Sequence, residues 1–148
     1  MDDTDLYQFL EAYPEDVQDI AIWLRNFVCD LYPHCNELIY DNYNALAFGP
    51  SLTDKAGDVF CSMAVFAKHV NFGFNRGSEI NDPAGVLVGN GSLYRYVTVK
   101  NINHFPESEI KLLMKDAYDN ALSRLKGKAT CTGISITKSI SPVKKRPK

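Results

Sequence analysis

The segment from residue 58 to residue 95 constrains the fold more than any other part of the chain. Two apolar runs, at 59–67 and 70–74, are separated by only two residues, and a third strand-like run follows at 93–100. Consecutive strands with short connections pair in antiparallel fashion. Residues 75–91 are rich in glycine, asparagine and aspartate, which predicts a loop. The segment therefore predicts the centre of an antiparallel sheet.

Helical spacing appears on either side of this segment. Residues 4–12 and 14–32 predict two helices, and residues 106–126 predict a third that stops at Gly127. Two short strands, at 38–41 and 43–48, are predicted between the second helix and the central segment. Together these elements predict an α+β fold with two layers. We expect an antiparallel sheet of about five strands, with the N-terminal and C-terminal helices packed on one face.

Length and charge divide the chain into a body and a tail. The 148 residues are enough for one domain with its own core. Residues 1–126 hold ten bases and eighteen acids, whereas residues 127–148 hold six bases and no acid. We interpret 1–126 as the folded domain and 127–148 as a basic, disordered tail. The tail has no aromatic residue for stacking on bases, so nucleic acid is not an expected partner.

The chain lacks the sequence signals of a membrane or secreted protein. No apolar run approaches the roughly 18 residues that span a membrane. The N-terminus is acidic and does not have the layout of a signal peptide. We therefore predict a cytoplasmic protein in which the four cysteines are reduced and make no disulfide framework: Cys29, Cys35, Cys61 and Cys131.

A first group of polar residues lies at the ends of predicted strands. Tyr40, Asp41 and Asn44 precede an apolar run, and they belong either at the mouth of a pocket or in a turn at a strand end. His69 is either a general base or a structural histidine, and Asn71 follows it in a glycine-containing strand.

A second group could recognise an anion. Arg76 and Arg95 could together hold a carboxylate or phosphate through forked hydrogen bonds. The alternative is that both arginines are solvated or ion-paired, with Asp82 as a partner.

The first two helices carry many carboxylates. Acidic ridges can bind hard cations weakly, although a charged helix face is more often simply solvated. The candidate metal ligands are Glu11, Glu15, Asp16 and Asp19.

An ordered set of motifs resembles the YdhG/YdeI-like family, a bacterial domain of unknown function. The resemblance covers about residues 37–121, and its motifs are Tyr40-Asp41-x-Tyr43-Asn44-Ala45-Leu46, Ser62-Met63-Ala64-Val65-Phe66, His69-Val70-Asn71-Phe72-Gly73-Phe74, Gly77, Asp82-Pro83, Leu87-x-Gly89-x-Gly91 and Arg95. Three positions depart from the family pattern, where Glu, Lys and His are common: Val88, Ser92 and Tyr96. The resemblance implies a compact α+β domain, and one branch of the family is described as frataxin-like iron chaperones.

Three functions follow, in order of preference. The first is a small non-enzymatic protein with a polar pocket for a small ligand that could be an anion, and with no cofactor. The pocket residues would be Tyr40, Asp41, Asn44, His69, Asn71, Arg76, Asp82 and Arg95. The second is a ferrous iron chaperone that uses the N-terminal acids. The third is an enzyme with His69 as general base, and a homodimer is left open.

Overall fold

A computed structural model describes residues 4–144. Two helices, α1 (Thr4–Leu10) and α2 (Glu15–Leu31), are followed by four strands. These strands are β1 (Asn36–Asp41), β2 (Leu46–Ser51), β3 (Cys61–Val65) and β4 (Val70–Phe74). After a long loop come β5 (Arg95–Val99), helix α3 (Glu107–Arg124) and β6 (Ser135–Ile140). Short 3-10 turns lie at Ala56–Asp58, Gly77–Glu79 and Ile102–His104.

The strands form one six-stranded sheet in the order β5-β4-β3-β2-β1-β6. Neighbours from β5 to β1 are antiparallel, and β6 runs parallel to β1. The α+β prediction with a mainly antiparallel sheet is therefore confirmed, with one strand more than expected. Among residues 4–144, no helix has the length and apolar character that a membrane span requires.

One core lies between the helices and one face of the sheet. Helix α2 packs on β2, β3 and β4, and its buried residues recur at helical spacing, as at Val17, Ala21, Leu24 and Val28. Alternate residues of each strand point to the helices, which gives β3 its regular change between buried and half-buried positions. The side chains of α3 that face inward join the same core.

A buried ion pair ties α2 to β1. The Arg25 guanidinium donates to the Glu37 carboxylate at 2.9 Å, and both side chains are about 5% exposed. The Ser135 hydroxyl donates to the same carboxylate at 2.6 Å. The buried carboxylate of β1 is thus satisfied by one residue of α2 and one residue of β6.

The prediction that residues 127–148 are disordered is wrong for the part of the tail that the structure describes. Backbone groups of residues 130 and 131 donate to the Leu52 carbonyl, and the Asn36 side chain accepts from residues 132 and 134. The tail then pairs along β1 as β6. It contributes little to the core, so apolar periodicity could not reveal it. Residues 145–148, the most basic end of the tail, lie outside the described residues.

Candidate functional site

The face of the sheet that carries no helix is the candidate site. We call it the helix-free face. Its residues are Leu38 and Tyr40 of β1, Ala47 and Gly49 of β2, Ser62 and Ala64 of β3, Asn71 and Gly73 of β4, and Tyr96 and Thr98 of β5. The middle strands supply small side chains there, so the surface is low in the centre and higher toward β1 and β5.

A loop folds over one end of this face. The β2–β3 loop contains the 3-10 turn Ala56–Asp58, and Val59 bridges back to Ser51. Ala56 and Val59 from this loop face Leu38 and Tyr40 of β1 across a cavity. The loop is held by its own polar groups, since the Thr53 hydroxyl donates to Asp58 at 2.6 Å.

The cavity has a volume of about 180 Å³. Its walls are mainly apolar, and its lining residues are Leu38, Tyr40, Ala47, Phe48, Gly49, Ala56, Val59, Ser62 and Asn75. A cavity of about 150 Å³ in another protein accommodates benzene, so this one has room for a single small ring. A pocket with apolar walls and a few polar groups is the usual form of a small-molecule site.

The floor of the cavity depends on Gly49. A Cβ atom at this position would lie 2.1 Å from the Cys61 carbonyl oxygen and 2.9 Å from the Ser62 Cα. Any side chain would force β2 and β3 apart, because both contacts are with backbone. Glycine therefore keeps the two strands close and the floor flat.

The Tyr40 hydroxyl is the most informative polar group of the cavity. It is buried and makes no hydrogen bond to any residue that the structure describes. Burial raises the pKa of Tyr40, so the phenol stays protonated at neutral pH. An unsatisfied buried hydroxyl costs about 1–3 kcal/mol. A ligand that accepts a hydrogen bond from this hydroxyl would remove that cost.

Two further polar side chains line the same cavity. The Ser62 hydroxyl donates to the Asn75 side-chain oxygen at 3.4 Å, a long and therefore weak hydrogen bond. Both residues are half-buried. They give the cavity neutral hydrogen-bonding groups among its mainly apolar lining.

Aromatic and polar contacts occupy the β5 end of the helix-free face. A Cβ at Gly73 would lie 2.2 Å from the Tyr94 hydroxyl, so the Tyr94 ring covers this glycine. Tyr94 stacks on Tyr96 with 5.7 Å between ring centroids, and burial raises the pKa of Tyr94 to about 12. The Thr98 hydroxyl donates to Asn71 at 2.9 Å. The helix-free face is therefore filled above Gly73, and the cavity lies toward β1 and β3.

Of the eight predicted pocket residues, only Tyr40 lines this cavity. Asn71 lies in the same cross-strand row, but two strands separate it from β1, which places it about 14 Å away. Asp41 is fully buried on the helix side of β1 and forms an ion pair with Lys144. Asn44 is exposed in the β1–β2 turn.

The remaining predicted residues stabilise turns and loops. His69 lies in the β3–β4 turn, where its ring stacks on Phe66 at 4.9 Å. Arg76 pairs with Glu79 at 2.8 Å. The Asp82 carboxylate accepts from the backbone of residues 86 and 87, and Arg95 donates to two carbonyls of its own loop.

These positions do not converge on one anion site. Arg95 pairs with Phe74 at one end of β4, and His69 precedes the other end, about 16 Å away. Asp82 interacts with backbone rather than with either arginine in the contacts described above. The predicted group therefore divides among a cavity, two turns and a loop.

The acidic residues of the first helices remain on the surface. Glu11, Glu15, Asp16 and Asp19 are all exposed. Within residues 4–144, no group of three or more His, Cys, Asp or Glu side chains is placed to hold a metal ion. The iron-binding alternative has no supporting observation in this part of the chain.

Comparison with known proteins identifies no relative of this chain. No family model, curated protein or solved structure matches the chain. The resemblance to the YdhG/YdeI-like family therefore stays a prediction.

Sequence reasoning missed Ser62, Asn75 and the floor of the cavity. A signal for the floor was present in the chain. Small residues alternate along three consecutive strands, as Ala47 and Gly49, Ser62 and Ala64, and then Gly73. This period-two pattern of small side chains indicates a low sheet face over which another group can pack.

Proposed function

We propose that the protein binds a small, mainly apolar ligand in the cavity of the helix-free face. The observation that carries the proposal is the Tyr40 side chain, which lines the cavity and has a buried hydroxyl that makes no hydrogen bond to a described residue. Such a group is costly in the empty protein and becomes favourable when a ligand supplies an acceptor.

The lining indicates the chemistry of this ligand. No lysine or arginine is among the lining residues, so the charged recognition expected from the sequence is replaced by neutral hydrogen bonding. The protonated phenol requires an acceptor such as a carbonyl oxygen. Ser62 and Asn75 can serve a second polar atom, and the apolar walls suit a ring or a short branched chain.

Two wider surface depressions support a ligand less well. One of about 420 Å³ lies between α1 and the end of β6, and one of about 410 Å³ lies beside residues 98–105. Both are lined mainly by exposed side chains. Burial of a ligand's apolar surface drives binding, and these depressions provide less of it.

The first experiment is saturation-transfer NMR with three probes of similar size: benzamide, cyclohexanone and benzoate. We expect the two neutral carbonyl compounds to bind more tightly than the carboxylate. Replacing Tyr40→Phe removes the donor and should weaken neutral binding by roughly 3–10-fold, which corresponds to one ordinary hydrogen bond. Tyr96→Phe is the matched control, because Tyr96 lies on the same face at β5 and outside the cavity lining.

A second variant tests the location rather than the hydrogen bond. Ala47→Leu adds three carbons to the cavity floor and should abolish binding of both neutral probes. Circular dichroism and the unfolding midpoint establish that the variant is folded. Binding that is equally strong in the wild type, Tyr40→Phe and Ala47→Leu proteins would place the probes elsewhere and refute the proposal.

A further inference from the structure

The structure brings two cysteines that are distant in sequence to one place at the start of the tail. Cys35 immediately precedes β1 and is about 2% exposed. Cys131 lies in the segment that leads from α3 to β6 and is half-exposed. The Cys131 thiol lies close enough to Cys35 to raise the pKa of the Cys35 thiol, an effect second to that of burial, and both cysteines are free.

Backbone contacts fix this approach independently of the thiols. The Cys131 amide donates to the Leu52 carbonyl at 3.0 Å, and the amide of Thr132 donates to the Asn36 side chain at 3.0 Å. A Cβ at Gly133 would lie 3.0 Å from the Pro33 carbonyl oxygen. Residues 131–133 are therefore held against residues 33–36 on both sides of the cysteine pair.

We propose that Cys35 and Cys131 form a redox-active dithiol site, which a hydroperoxide converts into a disulfide that locks the tail onto the sheet. This site is separate from the proposed ligand cavity. It would add a covalent bond, between the α2–β1 connection and the segment that leads into β6, to the hydrogen bonds that dock β6.

Oxidation would proceed in two steps, and the more exposed cysteine, Cys131, reacts with the peroxide first. The Cys131 sulfur attacks one peroxide oxygen, so an S–O bond forms, the O–O bond breaks, and the departing hydroxide or alkoxide takes the thiol proton. The Cys35 sulfur then attacks the Cys131 sulfur. An S–S bond forms, the S–O bond breaks, and hydroxide leaves with the Cys35 proton as water. With hydrogen peroxide, two thiols and one peroxide give one disulfide and two waters.

The environment of Cys35 keeps this thiol out of the first step. Burial raises the pKa of Cys35 to about 12, so this thiol is protonated and shielded from peroxide. A cavity of about 10 Å³ adjoins it and is lined in part by Cys29 and Tyr32. Cys131 lies in a half-exposed segment, so this is the side of the pair that must move for the two sulfurs to approach the roughly 2.05 Å of a disulfide.

The test is oxidation of the folded protein with hydrogen peroxide, followed by intact mass and peptide mapping. The intact mass should fall by about 2 Da, and dithiothreitol should restore it. Trypsin should release residues 26–55 linked to residues 129–138. Because the first peptide also contains Cys29, fragmentation must place the bond at Cys35.

Three variants separate this pair from other thiol chemistry. Cys131→Ser and Cys35→Ser should each abolish the loss of mass, whereas Cys29→Ser should leave it unchanged. Cys131 is half-exposed, so its variant remains informative even if the Cys35 variant fails to fold. Oxidation of the wild type should also raise the melting temperature by on the order of 10 °C, because the bond closes a long loop.

Three outcomes would overturn the proposal. One is a disulfide between Cys29 and Cys131 or between two molecules. Another is oxidation of Cys131 to sulfinic acid with no internal bond. The third is persistence of both thiols under conditions that fully oxidise glutathione.

Discussion

The two faces of the sheet differ in the size and polarity of the side chains that the same strands present. One row on the helix-covered face is large and apolar: Phe48, Met63, Phe72 and Val97. The neighbouring row on the helix-free face is small or polar: Ala47, Ala64, Asn71 and Thr98. The first row supplies the burial that holds the domain together. The second leaves space, which the β2–β3 loop encloses as a cavity.

This contrast shows that stability and binding are assigned to different sides of one set of strands. Side chains of the helix-covered face are fixed by many neighbours, so changes there should alter the free energy of unfolding. Changes on the helix-free face should alter it little, unless they touch the cavity floor.

The largest expected effect comes from Phe72→Ala. The Phe72 ring is fully buried and contacts the rings of Phe27, Phe74 and Phe105. Its loss should reduce the free energy of unfolding by about 3–5 kcal/mol in urea titrations. The neighbouring change Asn71→Ala removes one exposed hydrogen bond and should cost less than about 1 kcal/mol. Equal losses in the two variants would refute the division between the faces.

Gly49→Ala should be destabilising even though Gly49 lies on the helix-free face, where most changes should alter the free energy of unfolding little. Its Cβ would collide with the backbone of β3, so we expect a loss of about 1–3 kcal/mol in the free energy of unfolding. Gly57→Ala is the control, because nothing lies within 4 Å of a Cβ at that position. This second variant should be neutral or slightly stabilising, as for compatible glycine replacements generally. A tolerated Gly49→Ala would show that β2 and β3 can separate.

Tyr40→Phe sharpens the contrast because its effects on stability and binding should differ in sign. Removing a buried hydroxyl that has no described partner should leave the ligand-free protein equally stable, or more stable by up to about 1 kcal/mol. The same change should weaken the binding of neutral probes. Chemical denaturation of the ligand-free protein provides the measurement. A clear loss of stability would mean that the hydroxyl already has a favourable partner.

The smallest expected effect is a dependence on pH at the β3–β4 turn. Partial burial, followed by the nearby Lys100 ammonium, lowers the pKa of His69 from 6.5. The unfolded chain therefore binds a proton at a higher pH than the folded protein. As the pH falls through about 6.5 toward the folded-state pKa, this residue should lower the free energy of unfolding.

Replacement of His69 measures that contribution. His69→Asn should flatten the pH dependence of the urea midpoint between about pH 7.5 and pH 5. Lys100→Met should flatten it only in part, because burial is the larger cause of the shift. A wild-type protein that gains stability over the same decrease in pH, relative to His69→Asn, would contradict the assigned sign.

Elements with strong periodicity were predictable from the sequence, and elements held by polar contacts were not. The spacing of apolar residues in α2 and the alternation in β5 lead directly to the observed structure. Strand β6 escaped prediction because its partners are the polar edge of β1 and include Glu37, which is 98 residues from Ser135. Polar contacts at that sequence separation leave no periodic signal.

The same distinction explains the candidate site. Tyr40 was predicted because a polar residue at the end of a strand is conspicuous. Ser62 and Asn75 join it only through strand register and the path of the β2–β3 loop. The two arginines were candidates for an anion site because guanidinium groups make forked hydrogen bonds, with ion pairing or solvation as the alternative; the structure gives both of them local partners.

The parallel pairing of β6 with β1 also sets an order of events during synthesis. β1 emerges from the ribosome almost a hundred residues before the strand that covers its outer edge. At about 5–20 residues per second, this edge has no strand partner from its own chain for roughly 5–20 s. An uncovered strand edge is a template for pairing with other chains. During that interval other chains can pair with the outer edge of β1, and pairing of β6 closes it.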